Sequence, residues 1–173
     1  IHKQVGHVVA NRDDPLTIPL VPEDTPVTWW RSGEPDLNEF GLLEHDGVTW
    51  LCRGPERLVC TDELQLAGRH NHLNVLAALA LGRALKMPLE GLIDGAKHYR
   101  GLPHRCQLIS QLNGVRFIDD SKGTNIGATS AALEGLAGAG QIWLIIGGQG
   151  KGQDFSVLKP VLARINVRLL VMG

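Results

Sequence analysis

The sequence has little cysteine, almost no net charge and no long apolar run, and each shortage removes a class of protein. The three cysteines among 173 residues, Cys52, Cys60 and Cys106, are odd in number and far apart. Such spacing builds neither a disulfide framework nor a zinc site, and it fits a reducing, cytoplasmic setting. Each reads as a small buried hydrophobe. A formal net charge of −1 supplies no electrostatic footprint for nucleic acid or an anionic membrane surface. No apolar stretch approaches the length of a membrane span. An initiator Met and a secretory leader are also missing. The chain starts at Ile1 and stops at Gly173, and both ends read as cut close to strands, so a fragment is expected. What remains is a chain long enough to bury a core, as one domain or two small ones.

Two unlike halves follow one another. Residues 5–60 carry short β signals: an apolar run at 5–10 stopped by Asn11-Arg12-Asp13-Asp14-Pro15, a second strand at 26–31, and a hairpin over 40–52. Asp46-Gly47 at its tip supplies the positive φ angles of a type I′ turn. With a further strand at 57–60, this predicts an antiparallel meander. Leu73, Leu76, Ala77, Ala80, Leu81 and Ala84 then form one helical stripe, with Asn71 as N-cap and Pro88 beyond the end. A shorter helix is predicted over 89–98. Gly101-Leu102-Pro103 reads as a linker, giving domains 1–100 and 101–173. Beyond it come a hairpin turning at Asn113-Gly114, a polar loop, a helix over 126–136, a strand at 142–146, a Gly-rich loop, a helix over 156–164 and a strand at 167–172. That alternation predicts an α/β fold with a parallel sheet.

Ligands of open α/β sheets sit beyond the carboxyl ends of the strands, and two polar loops occupy that place here. Asp119-Asp120-Ser121-Lys122-Gly123-Thr124-Asn125 feeds a helix, and Gly147-Gly148-Gln149-Gly150-Lys151 follows the next strand. If these strands are parallel, Lys122, Thr124 and Lys151 converge with a helix N-terminus on one edge, a good site for a carboxylate or phosphate. The same Asp, Ser, Thr and Asn residues also read as ordinary helix caps. The second loop is not a Walker A loop: Ile145 stands where the first Gly belongs, and Gly152 where the magnesium-binding hydroxyl belongs. Asn71 and Asn74 share one helical face, suited to a purine or ribose edge or simply to capping. His70 and His72 point to different sides of a helix, a poor arrangement for a metal. Arg105, at the linker, suits a phosphate clamp or an interface ion pair.

Order and spacing add what single residues do not. Gly68-Arg69-His70-Asn71-His72-Leu73-Asn74, before an Ala/Leu helix, resembles the H-N-x-x-N segment of the Mur ligase and folylpolyglutamate synthetase superfamily. Gly101-Leu102-Pro103-His104-Arg105 resembles the junction into the third domain of those ligases. Asp120-Ser121-Lys122-Gly123-Thr124-Asn125 resembles the D-S-K-A-T-N motif of the D-glutamate-adding member, with Gly123 in place of Ala, a change that loosens the loop slightly. Gly147-Gly148-Gln149-Gly150-Lys151 resembles its G-G-x-x-K segment, with Gln149 where an acidic residue is usual.

The resemblance implies the later part of a central ATPase domain followed by the first part of a Rossmann-like, amino-acid-binding domain. It implies a ligase of peptidoglycan synthesis that consumes ATP with Mg2+ and joins D-glutamate to UDP-N-acetylmuramoyl-L-alanine. By the same resemblance, Asn71, Asn74, Arg105 and Asp120 contact ATP. Lys122 lies near the phosphates or reacting centre, and Thr124 and Lys151 hold D-glutamate. The P-loop and metal ligands belong upstream of Ile1. The piece alone is therefore expected to be inactive, and the complete enzyme to be a cytoplasmic monomer. A folylpolyglutamate-type ligase and a non-catalytic nucleotide- or amino-acid-binding module are the alternatives.

Overall fold

A computed structural model describes residues 5–66, 68–138 and 140–172; the terminal residues Ile1 and Gly173 lie outside that set. The chain divides into two compact units, one of Ile1–Leu66 with Asn71–Arg100 and the other of Ala67–His70 with Gly101–Gly173.

The first unit is built on a five-stranded sheet: β1 (Val8–Asn11), β2 (Val27–Trp30), β3 (Phe40–His45), β4 (Val48–Arg53) and β5 (Glu56–Cys60), in that spatial order. The sheet is mixed, not the antiparallel meander that the short strands suggest. β1 and β2 run parallel, and β2 meets β3 in parallel at Trp30 and Phe40. Only β3, β4 and β5 are antiparallel. The cause is connection length. Residues 12–26 hold a 3-10 turn, Pro15–Thr17, capped by the Asp14 carboxylate, and this long return lets β2 start level with β1. The β3–β4 hairpin closes as its sequence predicts, with Asp46 at φ 53° and Gly47 at φ 75°.

Helices α1 (Arg69–Ala84) and α2 (Leu89–His98) complete this unit. Phe40, Leu42, Leu51 and Val59 from the sheet pack with Val75, Leu76, Leu79 and Ala80 of α1, and Leu92, Ile93 and Ala96 of α2 rest against them. The buried face of α1 is rotated from the predicted stripe: Val75, Leu79 and Gly82 are buried while Leu81 is exposed. Gly82 explains the rotation. A Cβ there would lie 2.5 Å from both methyl carbons of Leu92, so the missing side chain lets α2 approach on that side. Asn71 is not the N-cap. The helix begins two residues earlier, directly after Gly68 at φ +95°, a conformation that glycine supplies.

The second unit holds β6 (Gln107–Leu112), β7 (Val115–Asp119), α3 (Ile126–Gly135), β8 (Ile142–Gly147), a 3-10 turn (Phe155–Leu158), α4 (Lys159–Arg164) and β9 (Val167–Met172). β8 and β9 pair in parallel across α4, a β-α-β unit. Leu133, Leu158 and Val161 are its buried apolar side chains. β7 does not join that pair among the described residues. It bonds only to β6, as an antiparallel hairpin closed by Asn113 at φ 50° and Gly114 at φ 79°. A two-residue I′ turn fixes that local ladder, whereas a parallel partner needs a non-local one. Among the described residues, therefore, no continuous ladder joins the two polar loops along one sheet edge.

Candidate functional site

The loop after β7 is held in place by the segment 104–106 that precedes β6. The main-chain N–H of Lys122 donates to the His104 carbonyl at 3.1 Å, and that of Cys106 donates to Asp120 Oδ1 at 3.0 Å. His104 Nδ1 lies 2.7 Å from Asp119 Oδ2, and the Ser121 N–H donates to Asp119 Oδ1 at 2.8 Å. The hydrogen bond from His104, then those from Ser121, pull the Asp119 carboxyl down to about 2. Inside the loop, the Gly123 N–H donates to the Asp120 carbonyl at 2.7 Å and the Thr124 N–H to the Lys122 carbonyl at 2.9 Å.

Two residues of the holding segment sit in left-handed backbone, His104 at φ 65° and Cys106 at φ 45°. Side chains adopt that region at a cost, and such residues persist where the surroundings fix them. Arg105 is carried between them with its own N–H donating to the Leu102 carbonyl at 3.3 Å. Gly123 does more than loosen the loop. A Cβ at that position would lie 2.6 Å from Asp120 Oδ2 and 3.0 Å from the Asp120 carbonyl oxygen. The Asp120 carboxylate occupies the space that an alanine methyl would take.

The second loop reaches the first through Gln153, whose side-chain oxygen accepts the Ile126 N–H at 3.0 Å. Asn125 caps the same helix, its Oδ1 accepting the Ala128 N–H at 2.8 Å. Two N–H groups of the α3 N-terminus are thus satisfied within the chain. Lys151 stands in left-handed backbone at φ 50°. Arg105, Lys122, Thr124 and Lys151 are all exposed, and none of the three cations among them forms an ion pair within the described residues. Three cations without protein counter-charges and a hydroxyl suit an anionic ligand.

His70 belongs to the second unit. Its ring lies against Gly135, where a Cβ would come within 2.5 Å of Nδ1. Burial lowers its affinity for a proton, and the nearby Asp120 charge opposes that. Asn71 and Asn74 lie on α1 in the first unit, Asn71 half-buried and Asn74 exposed. Among the described residues no group of three or more His, Cys, Asp and Glu is placed to hold a metal ion.

One open cavity of about 420 Å³ lies in the first unit, lined by residues including Arg12, Trp29, Asp36 and Glu39. No residue chosen from the sequence lines it. Its charges are already engaged: Arg12 bonds the buried Glu39 carboxylate and lies 4.2 Å over the Trp29 ring. His104, Asp119, Cys106 and Gln153 support the loop without being marked for it by the sequence. The doubled Asp119-Asp120 was their one visible signal.

The second unit is thus of the α/β class, with exposed cations at Arg105, Lys122 and Lys151. The comparisons narrow it. Residues 104–173 match the family described as Mur ligase, glutamate ligase domain. The whole chain is similar to the UDP-N-acetylmuramoylalanine--D-glutamate ligase of Acinetobacter baylyi, 45% identical and spanning 40% of that protein. It is 41% identical to the enzyme of that name from Pseudomonas aeruginosa, over 100% of this chain and 39% of that protein. A crystal structure of MurF from Acinetobacter baumannii shares the fold at a TM-score of 0.56 and 21% identity, over 84% of this chain and 32% of that one. Residues 104–173 thus match a Mur ligase domain, and the chain as a whole is similar to ligases of that family. It spans about 40% of the length of the curated relatives it matches.

Proposed function

We propose that the chain is part of an ATP-dependent, ADP-forming ligase that adds D-glutamate to UDP-N-acetylmuramoyl-L-alanine in the cytoplasm, with 1–100 as the later part of the central ATP-binding domain and 101–173 as the first part of the amino-acid-binding domain. The observation that carries this reading is the loop after β7. Its backbone is pinned to 104–106 while Arg105, Lys122 and Thr124 stay exposed. D-Glutamate carries two carboxylates in its free form, and Lys151 and Thr124 offer a cation and a hydroxyl to receive them. ATP is contacted, on this reading, by Asn71, Asn74, Arg105 and Asp120, the last accepting from ribose hydroxyls. Lys122 stabilises charge on the transferred phosphoryl group or the tetrahedral intermediate that follows amine attack. Mg2+ is held by residues outside this chain. Resemblance supports these assignments, and the chemistry of the exposed groups agrees with them.

The test is a D-glutamate titration of the intact ligase against its Lys151→Ala variant. Loss of a charged hydrogen bond of about 1.5–3 kcal/mol weakens binding at least about tenfold. Equal affinity in the two proteins contradicts the assignment of Lys151.

A further inference from the structure

The loops after β7 and β8 carry the two groups assigned to D-glutamate, yet among the described residues no ladder sets their spacing. A side chain ties them instead. Gln153 Oε1 accepts the Ile126 N–H at 3.0 Å. Lys151 lies two residues before one end of that bond, and Thr124 two residues before the other. We propose that Gln153 is a positioning residue for D-glutamate: its side-chain carbonyl ties the loop of Lys151 to the start of α3 and so fixes where that cation stands relative to the Thr124 hydroxyl. The inference rests on the reading of Lys151 and Thr124 as D-glutamate contacts.

Three observations support it. The first is that both ends of the bond are themselves held. Residues 150–153 form a tight turn, closed by the Gln153 N–H donating to the Gly150 carbonyl at 2.9 Å. Its central residues, Lys151 at φ 50° and Gly152 at φ 69°, follow the type I′ pattern. The Phe155 ring lies against Gly150, where a Cβ would come within 3.2 Å of it. Just beyond the turn, Asp154 Oδ1 accepts the Ser156 N–H at 2.9 Å and caps the 3-10 turn that ends on the buried Leu158. At the other end, Asn125 caps α3. The second observation is burial. Gln153 is half-buried, whereas Lys151, Gly152 and Asp154 around it are exposed. The third is the chemistry of the acceptor. The Ile126 N–H is one of the donors that a helix start leaves without an intrahelical partner. A carboxylate in the same place would accept it and be favoured by the helix dipole, but its charge would compete with an anionic ligand for Lys151. A neutral amide satisfies the helix and leaves the lysine free for the ligand.

The first arm of the test reads the bond itself, by amide-resolved hydrogen exchange at Ile126 in the intact ligase. Gln153→Met keeps the length of the side chain and removes its carbonyl, so the Ile126 amide exchanges about fivefold faster. Gln153→Glu keeps an acceptor at the same reach and holds the rate within about twofold of wild type. Equal rates in wild type and the Met variant overturn the tie. Faster exchange in both variants also overturns it, since Glu retains the acceptor.

The second arm reads the consequence in the same protein. Gln153→Met raises KM for D-glutamate about fivefold, with KM for ATP and kcat nearly unchanged. A role in stability alone lowers the active fraction, and so the apparent kcat, and leaves KM for D-glutamate where it was. In a Lys151→Ala background the same substitution changes KM for D-glutamate by less than about twofold, because the group it places is gone. Full additivity of the two changes overturns the positioning role, as does an unchanged KM in Gln153→Met. If Lys151→Ala leaves D-glutamate affinity untouched while Ile126 exchange still responds to Gln153→Met, the assignment of Lys151 fails, the positioning role falls with it, and the bond alone stands.

Discussion

Replacing Gly123 by Ala places a methyl group where the Asp120 carboxylate now lies. The new Cβ would be 2.6 Å from Oδ2, 3.2 Å from Cγ and 3.0 Å from the Asp120 carbonyl oxygen. The carboxylate has to swing by somewhat more than half an ångström, and the backbone oxygen yields by a few tenths. That swing carries Oδ1 away from the Cys106 amide, now 3.0 Å distant. A hydrogen bond to a charged acceptor contributes about 1.5–3 kcal/mol, and the low end applies because Asp120 is only half-buried. Against this, Ala restricts the unfolded chain and returns about 0.4–1 kcal/mol. The net expectation is a second unit destabilised by about 1 kcal/mol, with a Cys106 amide that moves in the NMR spectrum and exchanges faster with solvent. Denaturant unfolding followed by a probe in the second unit gives the first quantity, and an amide-resolved exchange experiment the second. A stabilised Gly123→Ala chain with an unmoved Cys106 amide refutes the reasoning, because Ala would then fit without disturbing the carboxylate.

Two further perturbations follow from contacts of the same kind. Gly54 sits at φ +51°, and a Cβ there would lie 2.2 Å from the Leu37 carbonyl oxygen. Since that obstacle is backbone, Gly54→Ala costs about 2 kcal/mol or more and lowers the melting temperature of the first unit, read by circular dichroism with a probe in that unit. The hydrogen bonds from His104 and then Ser121 pull the Asp119 carboxyl from its ordinary 3.8 down to about 2. A depressed folded-state value means that its bonds to His104 and Ser121 stabilise fully above about pH 4 and are lost as pH falls through 2. His104→Ala removes the hydrogen bond that contributes most, so carbon-detected NMR titration of the Asp119 carboxyl shows its midpoint rising toward 3.8. An unmoved midpoint removes His104 from the account.

Much of the architecture could be read from residue types alone because local chemistry determines it. Asp46-Gly47 and Asn113-Gly114 each take the positive φ angles that their identities favour, and the strands flanking them pair accordingly. The helix over 89–98 matches α2 residue for residue. What was illegible depended on distant partners. The parallel pairing of β1 with β2 follows from where a long connection returns the chain. The rotation of α1 depends on Leu92 meeting Gly82. The candidate site divides in the same way. Asp120, Lys122, Thr124 and Lys151 stand out because strand-end loops with cations and hydroxyls are a local pattern. Cys106 and His104 do not stand out, because holding Asp120 and Asp119 is a relation between residues up to 15 positions apart. A cysteine far from any other cysteine reads as filler until its neighbour is seen.

The bond from Gln153 to the Ile126 amide spans 27 positions, and that separation has a temporal meaning. A helix sealed by its own N-cap is finished as soon as its first turns are made. α3 is sealed by Asn125 at one amide and by a much later residue at another. At about 5–20 residues per second, a ribosome needs roughly 1–5 s to supply Gln153 after Ile126 has been added. Until then the first amide of α3 lacks the Gln153 acceptor, and the loop that leads into the helix lacks one of its ties. The polar loop after β7 thus receives its last hydrogen bond only when the Gly-rich loop after β8 has been built.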